Sequence, residues 1–151
     1  THPKYSPVYR YAQYIIDGTN HWLTGYCDWN IVLDSIGGPN HVNNFAGAQV
    51  MIDYANDIIY YTPYYYVLKQ FSRSMRPGDV ALQVNYPTTM KTGVDCETQD
   101  IFLCAVEKTD GSYAINILNM GPETILPVQL GSHYAMVTLP TASVQTIIVK
   151  L

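Results

Sequence analysis

The spacing of apolar positions divides the chain into a front part with helical period and a rear part with period two. Ser6-Pro7 is a helix start: an N-cap hydroxyl precedes a proline at the first helical position, where a missing N–H costs nothing. Val8, Tyr11, Ile15 and then Thr19 or Trp22 follow at helical spacing and predict one apolar stripe. The run 23–30, Leu-Thr-Gly-Tyr-Cys-Asp-Trp-Asn, reads as a buried strand closely following that helix. A loop dense in turn residues comes next, from Gly37-Gly38-Pro39-Asn40 through Asn43-Asn44. Gly38-Pro39 is a candidate cis peptide, because the X-Pro penalty is small in a tight turn. Gln49 to Asp53 is a second short extended run. Thr62-Pro63 opens another helix with Tyr64, Val67, Leu68, Phe71 and Met75 as its core stripe, and Pro77-Gly78 stops it.

From Val80 onward apolar residues alternate. Ile101 to Glu107 and Tyr113 to Asn119 are expected to form a hairpin across Asp110-Gly111, with positive φ at both central positions. Thr124 to Leu130, Tyr134 to Thr138 and Ser143 to Val149 continue as short strands, the spacing of an antiparallel sandwich. A single helix-strand-helix unit cannot bury its strand on both faces, whereas an α/β barrel supplies eight such units. The predicted fold is therefore α/β plus all-β: residues 1–77 as the end of a (β/α)8 TIM barrel, and residues 78–151 as an antiparallel β-sandwich domain.

A net charge of -4 and a pI near 5.3 argue against nucleic acid as a partner, which wants a basic face. Charged residues make up only 13% and tyrosine occurs 14 times. Two readings of that surface stand level: phenols and amides as its solubilising groups, or a surface that packs against further polypeptide. The cysteines, Cys27, Cys96 and Cys104, form no C-x-x-C pair, and a Cys96–Cys104 bridge competes with Cys104 as a plain buried thiol. The histidines, His2, His21, His41 and His133, are dispersed without metal-ligand spacing. The cluster Tyr60, Tyr61, Tyr64, Tyr65 and Tyr66 reads as packing at a helix start rather than an aromatic membrane belt.

Active-site groups of an α/β barrel come from the C-terminal ends of its strands and the loops that follow. That position is occupied by Asp28-Trp29-Asn30 and the loop to Phe45. An indole covers the apolar face of a pyranose, and an amide both donates to and accepts from hydroxyls. The plainer readings are core packing for Trp29 and a loop-capping turn for Asn44.

The stretch Gly25-Tyr26-Cys27-Asp28-Trp29-Asn30, with Asp34, Gly37-Gly38-Pro39-Asn40, Val42 and Asn43-Asn44-Phe45, resembles the segment around the last barrel strand of family 30 glycoside hydrolases. The resemblance is to animal-type glucosylceramidases and extends over essentially the whole chain. It implies a retaining β-glucosidase acting on glucosylceramide through two carboxyls about 5–5.5 Å apart. None of the three glutamates here, Glu97, Glu107 and Glu123, sits at a barrel-strand end, so both catalytic glutamates are expected upstream and this chain alone is expected to be inactive.

By the same resemblance Trp29 lines the glucose subsite, and Asn44 and Phe45 belong to a loop at the pocket mouth. Asp28 faces away from Trp29 on an ideal strand, so it is expected to orient neighbouring groups. The sequence departs from the family where Tyr26 and Cys27 replace a tryptophan and a threonine, which blurs the substrate. The family implies no metal and no organic cofactor. It implies a lysosomal or extracellular setting, and as partners the remainder of the barrel, a membrane-surface lipid and an activator protein. A secreted β-1,6-glucanase or xylanase of the same family, or a non-catalytic carbohydrate-binding module, are the competing readings.

Overall fold

A computed structural model of the chain describes residues 7–85 and 100–151. The Ser6 cap, Glu97 and a bridge from Cys96 lie outside the described residues. Helix α1 spans Pro7–Asn20 and buries Tyr11 and Ile15 of the expected stripe, together with Ala12 and Ile16 beside them, while Val8 and Thr19 are half-buried. Trp22 does not belong to that stripe: it is 91% exposed with φ 69. The helix has already ended there, because the Gly18 carbonyl accepts from both His21 N–H (3.0 Å) and Leu23 N–H (2.9 Å) and turns the chain away.

The expected strand at 23–30 is not formed; residues 21–29 are exposed and irregular. Among the described residues no strand lies beside this run, so neither a hydrogen-bond ladder nor burial holds it extended. Strand β1 is displaced to Val32–Asp34 and runs parallel to β2 (Val50–Asp53), with Val50 N–H also donating to the Ile31 carbonyl at 3.0 Å. Antiparallel β3 (Ile58–Tyr61) completes a sheet of order β1-β2-β3. Helix α2 (Pro63–Ser74) follows with Pro63 in its first turn. Thr62 stands at the N-cap but does not cap with its side chain; its Oγ1 donates to the Ala48 carbonyl at 2.7 Å.

The rear half contains β4 (Val80–Leu82), β5 (Ile101–Glu107), β6 (Tyr113–Asn119), β7 (Thr124–Leu130), β8 (His133–Leu139) and β9 (Ser143–Val149). Strands β4-β5-β6-β9 form one antiparallel sheet, and β7-β8 form a separate hairpin. Strand alternation explains the packing. Phe102, Cys104, Leu118 and Val144 point to one face and pack against Tyr11, Ile15, Ile16, Val67 and Phe71 of the two helices. Leu103, Ala105, Ile115, Ile117 and Ile147 point to the other and meet Leu126, Val128, Val137 and Leu139 of the β7-β8 hairpin. The sheet is thus covered on both faces, and its helix-side core joins residues before and after position 77.

A polar knot lies within that helix-side core. Asn116 is fully buried, and its Oδ1 accepts from Ser74 Oγ of α2 (2.8 Å) and Thr146 Oγ1 of β9 (2.7 Å). The β5-β6 turn differs from expectation at one residue. Gly111 has φ 79, whereas Asp110 keeps negative φ and its Oδ1 accepts from Ser112 N–H at 3.0 Å. Lys108 N–H bonds to the Ser112 carbonyl at 2.8 Å, so the loop is longer than a two-residue turn and one left-handed glycine suffices.

Three carboxyls give folding a pH dependence. The Asn56 amide holds Asp53 below the usual carboxylate range, and Ser112 does the same for Asp110. At Asp79 burial opposes the charge, but the N–H groups of Arg76 and Thr109 and the Lys108 ammonium outweigh it and lower its pKa. A carboxyl lowered in the folded state stabilises that state above its unfolded pKa of about 3.9 and loses this contribution as pH falls through the folded value. Asp17, raised by burial, acts in the opposite sense. With three groups against one, the melting temperature should fall as the pH drops below about 4; a thermal-melt series from pH 7 to pH 2 checks this.

Candidate functional site

Asp28 and Trp29 come together with Arg10, Tyr11, Tyr14, Gln49 and Tyr64 around an open pocket of about 340 Å³, floored by Gly47 and Ala48. Four separate pieces of chain build it: α1, the irregular run before β1, the entry into β2, and the first turn of α2. Gln49 is 3% exposed and sits where β2 begins. Its Nε2 donates to the Tyr11 hydroxyl at 3.0 Å and to Asp28 Oδ2. Its Oε1 is buried and has no donor among the described residues.

Tyr11 is held by ring edges as well as by this amide. Its ring meets Tyr26 at 5.5 Å and 84°, and Tyr64 at 5.6 Å and 75°. Burial, and then the hydrogen bond to the Asp28 carboxylate, push its phenol far above the ordinary tyrosine range. Burial likewise raises Tyr26. Both phenols therefore stay neutral around the carboxylate and serve as hydrogen-bonding groups only.

Trp29 is 82% exposed, so its indole lines the pocket without being buried in it. Asn44 and Phe45 do not line this pocket. They lie on the loop after β1, which is organised by carboxylate and amide acceptors. Asp34 Oδ1 accepts from Ile36 N–H (3.0 Å) and Gly38 N–H (2.7 Å). Asn40 Oδ1 accepts from Val42 N–H (3.1 Å) and Asn44 N–H (2.9 Å). The Gly38-Pro39 peptide is cis, as its sequence context anticipates. Gly37 has φ +88, and a Cβ added there would stand 2.4 Å from the Ala46 carbonyl oxygen. Gly37→Ala should therefore destabilise the protein by about 1–3 kcal/mol and displace the Asn44-Phe45 loop; urea melts and the loop's proteolytic sensitivity report on both.

Sequence reasoning missed Tyr11, Gln49, Arg10, Tyr14 and Tyr64 as pocket residues. Tyr11 and Tyr64 were legible only as apolar stripe positions, and Gln49 only as the start of an extended run. Among the described residues no group of three or more His, Cys, Asp or Glu side chains is placed to hold a metal ion, and no helix is long and apolar enough to cross a membrane.

Residues 3–75 match the glycosyl hydrolase family 30 TIM-barrel domain. The lysosomal acid glucosylceramidase of Mus musculus is 30% identical over 116 residues, covering 77% of this chain and 21% of the mouse protein. Putative glucosylceramidase 2 of Caenorhabditis elegans is 32% identical over 112 residues, 74% of this chain and 20% of that protein. SrfJ from Salmonella typhimurium superposes with a TM-score of 0.82 at 24% identity, over 97% of this chain and 32% of its own. The endo-β1,6-glucanase BT3312 does so with a TM-score of 0.76 at 23% identity, over 93% and 30%. These superpositions show that the chain shares its fold with about a third of each of those two structures. The chain belongs to glycosyl hydrolase family 30 and is similar to glucosylceramidases. It spans about a fifth of the length of the curated relatives it matches.

Proposed function

We propose that this chain is the part of a retaining β-glucosidase that supplies one wall of the glucose pocket, the substrate being glucosylceramide or a close β-glucoside. One observation carries the reading: the segment matched to family 30 is the one that brings Asp28 and Trp29 to an open pocket. In this reading Trp29 stacks on the sugar, Asp28 holds neighbouring groups, and Asn44 and Phe45 border the entrance from the adjoining loop. Residues 1–77 contribute the end of the barrel, and residues 78–151 a β-sandwich domain that supports it.

The two reacting carboxyls come from polypeptide beyond this chain. Glu107 ends β5 and Glu123 follows a Gly-Pro turn, both exposed and neither among the pocket residues. Neither stands where the close carboxyl pair that retention requires would meet a sugar in this pocket. In this reading the chain by itself is inactive. Likeness to the mouse lysosomal enzyme supports a lysosomal setting; an extracellular one, and a membrane-surface lipid and an activator protein as further partners, rest on the family resemblance alone. The intact protein should cleave glucosylceramide in preference to β-1,6-glucan; hydrolysis of the glucan alone overturns the substrate and favours the polysaccharide hydrolase, and hydrolysis of neither favours a binding module.

A further inference from the structure

Residues 21–29 lie exposed with no strand beside them among the described residues, yet they carry the indole that lines the pocket. The run is tied to the body of the molecule by the Leu23 N–H at the Gly18 carbonyl, by the Tyr26 ring against Tyr11 and, next to the indole, by the side chain of Asp28. Asp28 accepts from Gln49 Nε2, and the same nitrogen also donates to Tyr11. The two anchors are themselves fixed: Gln49 is 3% and Tyr11 is 9% exposed, and Tyr11 is wedged edge-on between Tyr26 and Tyr64. Because Asp28 must receive an N–H, the amide has one orientation, and both of its hydrogens are used. Charge-assisted hydrogen bonds of this kind are the strong ones.

We propose that Tyr11 and Gln49 are positioning residues that act through Asp28 to set the Trp29 indole against the bound glycoside, an inference that rests on Trp29 being a sugar wall. They touch no reacting atom. Loss of either anchor releases the segment and weakens sugar stacking in ground and transition states alike, which raises KM and leaves kcat nearly unchanged.

The test uses the intact protein labelled with 5-fluorotryptophan, with the Trp29 resonance assigned through its loss in Trp29→Phe. Tyr11→Phe removes a single oxygen, and Gln49→Met removes the amide at similar volume. Each should shift or broaden the Trp29 fluorine signal while leaving that of Trp22 in place. Each should also raise KM for a β-glucoside roughly 3- to 10-fold, the size of one lost hydrogen bond. In a Trp29→Ala background neither should raise KM further. Should Gln49→Met fail to fold, Gln49→Asn, polar but one methylene short, gives the same readout. A Trp29 signal unmoved by both substitutions overturns the proposal, as does a KM penalty that persists in full without the indole. A wild-type protein that cleaves no β-glucoside overturns the sugar reading instead, and the fluorine spectrum still decides the clasp.

Discussion

Phe71→Ala should cost about 3–5 kcal/mol of folding stability, the range for emptying a buried aromatic position. Phe71 is 2% exposed on α2 and packs in the core shared by both helices and the four-stranded sheet. Its neighbours there come from four distant parts of the chain, Ile15 and Ile16 of α1, Phe102 and Cys104 of β5, Leu118 of β6 and Val144 of β9. Such a site collapses poorly around a lost ring, because each wall is held by a different element. Domains have only about 5–15 kcal/mol in total, so this single change removes a large share. Denaturant titration of the variant should show a lower midpoint at unchanged slope. A loss under about 1 kcal/mol would mean that the helices do not share a core with the sheet.

Trp29→Ala in the intact protein should lower kcat/KM for a β-glucoside roughly 10- to 150-fold, from about 1.5–3 kcal/mol of apolar contact with the sugar. The indole is 82% exposed, so its removal leaves no cavity, and the melting temperature should barely move. That contrast separates a binding residue from a packing one. Steady-state kinetics paired with a thermal melt gives both numbers, and a large fall in stability with unchanged kinetics would return Trp29 to a packing role.

The helices and the rear strands were legible because they bury one face and expose another. Val67 and Phe71 fall at helical spacing, and Phe102, Leu103, Cys104 and Ala105 alternate between two cores. The run 23–30 misled for a physical reason. Its composition suits a buried strand, but a strand also needs neighbours, and composition does not say whether they are in the same polypeptide. Asp110-Gly111 was legible as a turn but not as its type, since an Asx hydrogen bond to Ser112 replaced a second left-handed residue. At the site, Asp28 and Trp29 stood out through a motif. Tyr11 and Gln49 belong to no motif, and only the packing of α1 beside β2 brings them to Asp28.

The burial of the β4-β5-β6-β9 sheet from both sides has a bearing on protein engineering. A chimera joined after residue 77, with front and rear halves from different relatives, would set foreign rings against Phe102 and Leu118 and mismatch the Ser74–Asn116 contact. Recombination libraries should therefore place crossovers so that α1, α2 and the strands beneath them are inherited as one block, while the β7-β8 hairpin, joined to that block through the opposite face, is the segment most open to exchange.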